Sequence, residues 1–185
     1  MTKLTTAAWV VHELGLATSF GGVIFGKLAL NPTLDVIDSK PDRGKILNSA
    51  WNRFNVVSTI STGTAIATWL TGRAAISGEL ALDEEANNLV RTKDALLATA
   101  AVTGLVSMLS GISLSRQAPD GATPLDDGLT PAPEMSEDAA RLLRRVNLLG
   151  NVNIAVLGGV IAVSTVLSQK AGKSIGWAAA SRLLP

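Results

Sequence analysis

Trp9 to Pro32, WVVHELGLATSFGGVIFGKLALNP, is the stretch that decides how the rest of this 185-residue chain is read. From Ala7 to Leu30 it is predominantly apolar, and a helix needs roughly 20 such residues to cross a bilayer. Both ends are marked. Thr5 and Thr6 can cap the start, and Asn31-Pro32 stops the helix, because proline lacks an amide proton and restricts the residue before it. The run is too long for the apolar part of a signal peptide, and it ends at Asn-Pro rather than at a small-residue cleavage site. A retained transmembrane helix is the expectation.

Composition points the same way. Hydrophobic residues make up 47% of the chain, charged residues 17%, and mean hydropathy is +0.33. A soluble domain carries nearer about 25% charge. A polytopic membrane protein fits these values. The formal net charge of +1 gives no reason to expect a nucleic-acid partner. Without cysteine there are no disulfides, thiolate metal sites or cysteine nucleophiles, and a lone histidine removes any His-rich metal centre. No P-loop, GxSxG, HExxH or dinucleotide fingerprint is present, so a non-enzyme is expected.

Working outward from the first span (about 7–30), TLDVIDSKPDRGK carries the breakers Pro41 and Gly44 and closes a hairpin. The second span, about 47–70, is unusually polar: Asn48, Trp51, Asn52, Arg53 and Asn55 precede a ladder of Ser58, Thr59, Ser61, Thr62, Thr64 and Thr68. Hydroxyls can bond back to their own helix carbonyls, so such a helix enters lipid with its polar rows facing other helices. A turn is expected over 71–81, at Gly72 and Gly78, and acids at 83–85 open a helix whose first turns stand in solvent before the third span at about 95–114. The Pro/Gly/Asp-rich segment at about 116–136 reads as the main extramembrane loop. Ser136-Glu137-Asp138 starts the helix of the fourth span, about 146–167, and a tail over 174–185 can lie at the interface with Trp177 as anchor. The fold class is an all-α, up-and-down four-helix membrane bundle forming one domain over 1–185. Leu16-Ala17-Thr18 is matched by Leu97-Ala98-Thr99, and Arg53-Phe54-Asn55 by Arg145-Val146-Asn147, which suggests a duplicated hairpin.

Three sets of residues stand out. His12 lies five residues beyond Ala7, about 7 to 8 Å along the helix, and an ionisable group at membrane depth is a functional hypothesis by default. It could ligate a haem or chlorin shared with a partner, or handle a proton. The plainer reading is a hydrogen bond to a neighbouring helix, with Glu13 reaching the headgroups or paired to Arg73. The second set is Lys27, Asn48, Asn52, Arg53, Asn55, Arg145, Asn147 and Asn151, all toward the first-loop end. It reads as a polar pocket for an anion or lipid headgroup around Arg53 and Arg145, or as snorkelling cations and satisfied amides. The third is small residues that permit close helix approach: Gly22 with Gly26, Gly104 with Gly111, and Gly159.

The pattern His12-x-Leu14-Gly15-Leu16-Ala17, then Phe20-Gly21-Gly22, Asn31-Pro32 and Trp51-x-Arg53-Phe54, resembles small four-span bacterial membrane proteins of unknown function, similar in layout to the copper-resistance membrane domain. The resemblance covers roughly the first 70 residues. It implies a compact four-helix bundle and metal-linked physiology, and no functional residue is carried over from it. Three functions follow as expectations. The first is a non-catalytic accessory or structural subunit of a larger membrane complex, with membrane lipid and other membrane subunits as partners. The second is a subunit holding a haem, chlorin or carotenoid at His12. The third is a small oligomeric transporter or channel lined by the Ser/Thr ladder.

Overall fold

A computed structural model describes the backbone of residues 3–80 and 84–172 and the side chains of 7–73 and 84–170. The expected interfacial tail, 174–185, lies outside the described residues. Four long helices carry the chain: α1 (Lys3–Phe25), α2 (Lys40–Leu80), α3 (Glu84–Ser115) and α4 (Glu137–Gly172). There is no strand among the described residues, only an isolated bridge between Leu125 and Pro131.

The first helix starts at Lys3, before the threonines read as its caps, and beyond Phe25 it loosens into one π turn, Gly26–Leu30. Asn31 closes that turn by donating its amide to the Gly26 carbonyl at 2.8 Å, and Pro32 then opens a 3-10 turn, Pro32–Val36. Proline fits there because its missing amide proton is not needed at a helix start.

The second helix departs from the sequence reading. No turn forms over 71–80: the helix runs through Gly72 and Gly78 to Leu80. Isolated glycines cost a helix only about 1 kcal/mol each, which tertiary packing outweighs. The start of α3 departs as well. Ala86, Val90, Lys93, Leu97 and Ala100 are all buried, at a helical spacing that points one face inward, so the expected solvent-exposed extension is part of the core.

The helices associate as two hairpins. Contacts are densest between α3 and α4, next between α1 and α2, and sparser between the hairpins. The α1–α2 seam is built from glycine. A Cβ on Gly15 would come to 2.6 Å from the Ser61 carbonyl, one on Gly26 to 2.5 Å from the Trp51 ring, and one on Gly22 would strike the ring of Phe54. Ser19 shares that face and hydrogen-bonds Thr62 at 2.9 Å. In the other hairpin Gly104 lies against Asn153 and Gly159 against Leu96, while Gly111 faces open space.

Two apolar clusters fill the interior. One joins Leu16, Trp69, Leu97, Leu157 and Val160; the other joins Leu34, Leu47, Leu114, Leu125 and Leu143 under the long loop. Outside, large apolar side chains stand free, with Leu14 at 61% exposure, Leu28 at 74% and Leu148 at 64%. Three segments, Ala7–Val36, Glu84–Ser115 and Glu137–Lys170, are long and apolar enough to cross a membrane.

The 116–136 loop folds back over the first hairpin instead of standing off it. Leu125 donates its amide to the Lys40 carbonyl at 3.2 Å, and Asp127 accepts from the amides of Leu129 and Thr130 at 2.6 and 2.7 Å. The Arg43 guanidinium reaches the carbonyls of Asp35, Ile37, Leu125 and Asp126. Lys40 pairs with Asp126 at 2.9 Å and Glu134 at 3.4 Å. The Asp126 hydrogen bond, reinforced by Glu134, holds the Lys40 ammonium above the ordinary lysine value of 10.5 against an opposing effect of burial. Gly44 is where loop and helix backbones meet, and a Cβ there would run into Thr123.

Candidate functional site

Polar groups concentrate at the two ends of the bundle. At one end His12 is 1% exposed and donates Nδ1–H to the Ala65 carbonyl at 2.7 Å, which leaves Nε2 as a buried lone pair without a hydrogen-bond partner among the described residues. Trp9 packs edge-on to its ring with centroids 5.6 Å apart, and Trp69 lies 6.2 Å away. Lys93 joins them from α3. It is 0% exposed, its Nζ 4.0 Å from the Trp69 ring centroid and 5.1 Å from that of Trp9, again without a hydrogen-bond partner among the described residues. Indole faces attract a desolvated ammonium by about 2 kcal/mol, and Glu13 and Asp94 supply nearby negative charge. Trp69 donates Nε1–H to Asp94 at 2.8 Å, and the other oxygen of Asp94 pairs with Arg73 at 2.9 Å.

His12 sits inside the bundle, with its ring held by α2.

At the opposite end the four helices enclose a cavity of about 100 Å³, roofed by Gly128 of the loop. Its apolar walls include Val23, Trp51, Phe54, Leu143 and Val146, and its polar lining comes from the π turn with Asn31 and from α2, α3 and α4. Lys27 donates to the Asn147 backbone carbonyl at 3.0 Å and to its side-chain oxygen at 3.1 Å, and Asn147 in turn donates to the Leu129 carbonyl at 2.9 Å. Trp51 donates to the Asn31 side chain at 3.0 Å, and Asn48 donates to the Gly121 carbonyl at 2.7 Å. Asn153 reaches the Ala100 carbonyl and Thr103 hydroxyl, each at 3.2 Å.

The cavity gathers half of the polar set seen in the sequence. Lys27, Asn48, Asn55 and Asn147 line it; Asn52, Arg53, Arg145 and Asn151 are exposed on the outer faces and do not. Arg53 and Arg145 are therefore not the cationic heart of a pocket. They follow the ordinary behaviour of arginines flanking apolar helices, whose heads reach for water. Gly104 and Gly111 also line the cavity, so part of the small-residue pattern opens space as well as closing it. The Ser/Thr ladder serves the helix and its seam: Thr59 and Thr68 bond back to the carbonyls four residues earlier, each at 2.7 Å.

Lys93 had no place in the candidate set, although it was findable. It falls in register with Val90, Leu97 and Ala100, the positions that a period of 3.6 assigns to the inner face.

Among the described residues no three His, Asp or Glu side chains converge. Met135 sits in the loop-side core while His12 lies at the other end. Soft and imidazole donors are thus not brought together.

Comparison of the chain with protein-family models, with curated proteins and with solved structures finds no match.

Proposed function

We propose that the chain is a non-catalytic integral membrane protein with four spans, an accessory subunit of a larger membrane assembly. Helix α2 packs antiparallel along α1 from the Trp51–Gly26 contact to the Ala65–His12 hydrogen bond, so it shares the depth of its apolar partner. Thr59, Thr68 and Thr71 bond back to carbonyls of their own helix, which lets a polar sequence stand beside lipid.

The observation that carries the accessory role is the outer face of α2. Thr59, Gly63 and Ala67 are exposed at intervals of four residues, and a Cβ on Gly63 would meet nothing within 4 Å, whereas Gly15, Gly22 and Gly26 are all covered. Exposed Ile60 and Leu70 flank this ridge, and Asn52 and Arg53 continue outward toward the loop end. A small-residue ridge on the least apolar helix suits the close approach of another subunit's helix better than contact with acyl chains. The exposed apolar faces of α1, α3 and α4 suit lipid. Duplication of a hairpin is part of the same reading: Asn55 and Asn147 both line the cavity, Arg53 and Arg145 are both exposed, and Leu16 and Leu97 meet in one cluster.

Gentle extraction from native membranes, followed by sizing and mass spectrometry, tests the proposal. The chain should migrate well above its own 19.1 kDa with defined partner subunits. A Gly63→Leu protein that keeps its helicity should run alone. Wild-type protein that migrates as a free monomer overturns the accessory role.

A further inference from the structure

We propose that the cavity between the two hairpins binds a compact anionic group of the phosphate class, carried on a lipid headgroup or free in solution. Among the described residues, Lys27 is the only charged one lining the cavity, so their wall carries one positive charge and no carboxylate. Both of its hydrogen bonds go to neutral oxygens of Asn147. An ammonium that is half-buried beside apolar walls loses hydration that amide oxygens only partly replace, and an anion restores the balance.

Donors are in place for such a group. Asn55, Ser58 and Ser107 line the cavity, and their side chains make no hydrogen bond to another described residue. Together with the third proton of Lys27 they offer several donors to one small volume, and a phosphate group presents several acceptor oxygens, which charge-assisted hydrogen bonds favour. The same lysine repels a cation. A volume of about 100 Å³ suits a compact group and excludes a macrocycle. Asn147 is oriented on both sides, accepting from Lys27 and donating to Leu129, so the lysine is held in place without a ligand.

The test uses the full chain in phosphatidylcholine nanodiscs, with and without phosphatidylglycerol. Inorganic phosphate is titrated calorimetrically into the first, and native mass spectrometry counts anionic lipid retained from the second. Binding of phosphate identifies a free anion as a source; retention of phosphatidylglycerol above its share of the bilayer identifies a headgroup. In Lys27→Gln, binding should fall at least about tenfold, since the charge that pairs with the anion is lost. Gly111→Leu provides a second variant. It grows into open space beside the cavity, leaves every polar contact intact, and should abolish binding by filling the site. Absence of both phosphate and lipid binding in the wild type, or binding that survives either substitution in a folded protein, overturns the proposal.

Discussion

Lys93 and Lys27 both sit inside a bundle whose exterior is largely apolar, and they are accommodated in opposite ways. Around Lys93 the space is filled by Trp9, Trp69 and His12, and the ammonium lies on indole faces. Around Lys27 the helices part, and the ammonium meets amide oxygens beside a void. The difference teaches which polarity is structural. The contrast is one of room: Lys93 is fully buried against aromatic rings, whereas Lys27 lies beside an unfilled polar cavity. The same contrast appears in the glycines: Gly15 and Gly26 are pressed against their neighbours and Gly111 faces open space.

If the filled end is the structural one, its aromatic keystone should matter most to stability. Trp69 is 2% exposed, stacks with Trp9, covers Lys93 and donates to Asp94. Trp69→Ala should therefore cost about 3–5 kcal/mol, the range for removing a large buried aromatic. The cost should read as a lower midpoint in SDS titration of the reconstituted protein. A shift no larger than that of an exposed-site variant would break the contrast between the two ends.

The seam that joins the ends comes next. Gly15→Ala forces a methyl group against the Ser61 backbone carbonyl, which cannot swing aside as a side chain can. A loss of about 1–3 kcal/mol is expected, the usual cost of overpacking. Gly21→Ala is the internal control, because nothing lies within 4 Å of its would-be Cβ. There the only effect should be a gain of about 0.5–1 kcal/mol from helix propensity. Equal responses at the two glycines in the same SDS titration would mean that the seam is looser than its geometry.

Much of this was legible in the sequence, and the reasons for the rest are physical. Apolar runs and proline stops showed α1, α3 and α4, because a bilayer-length helix leaves a strong compositional trace. Gly22 and Gly26 were visible as a packing motif, yet which helix they met depended on tertiary register. The end of α2 was misread since Gly72 and Gly78 lower helix propensity only slightly. Lys93 escaped because charge was taken as a mark of solvent, while its place in the buried period said otherwise. At the cavity the amides Asn55 and Asn147 were found by their repeat, but their arginine neighbours were assigned inward. Residues two apart on a helix, as Arg53 and Asn55 or Arg145 and Asn147 are, point about 200° apart, so one of each pair had to face out.

The smallest effect concerns the loop that roofs the open end. Lys40 ties Asp126 and Glu134 to the start of α2, and its own carbonyl accepts the Leu125 amide. Its folded-state proton affinity is raised above the ordinary lysine value of 10.5, chiefly by the Asp126 hydrogen bond. A group whose value is raised on folding contributes stability that is fully present below the unfolded value and is lost as pH climbs through the folded one. The latch should therefore be intact at neutral pH and release only above about pH 10.5. Lys40→Met should reproduce that release at neutral pH, lowering the hydrogen-exchange protection of the Leu125 amide while leaving the Trp69 end unchanged. Protection at Leu125 that is indifferent to the substitution would show that Arg43, with its four carbonyl acceptors, holds the loop alone. Loss of protection at both ends together would mean that roof and aromatic cluster open as one unit, and the distinction between a filled and an open end would then be one of packing but not of cooperativity.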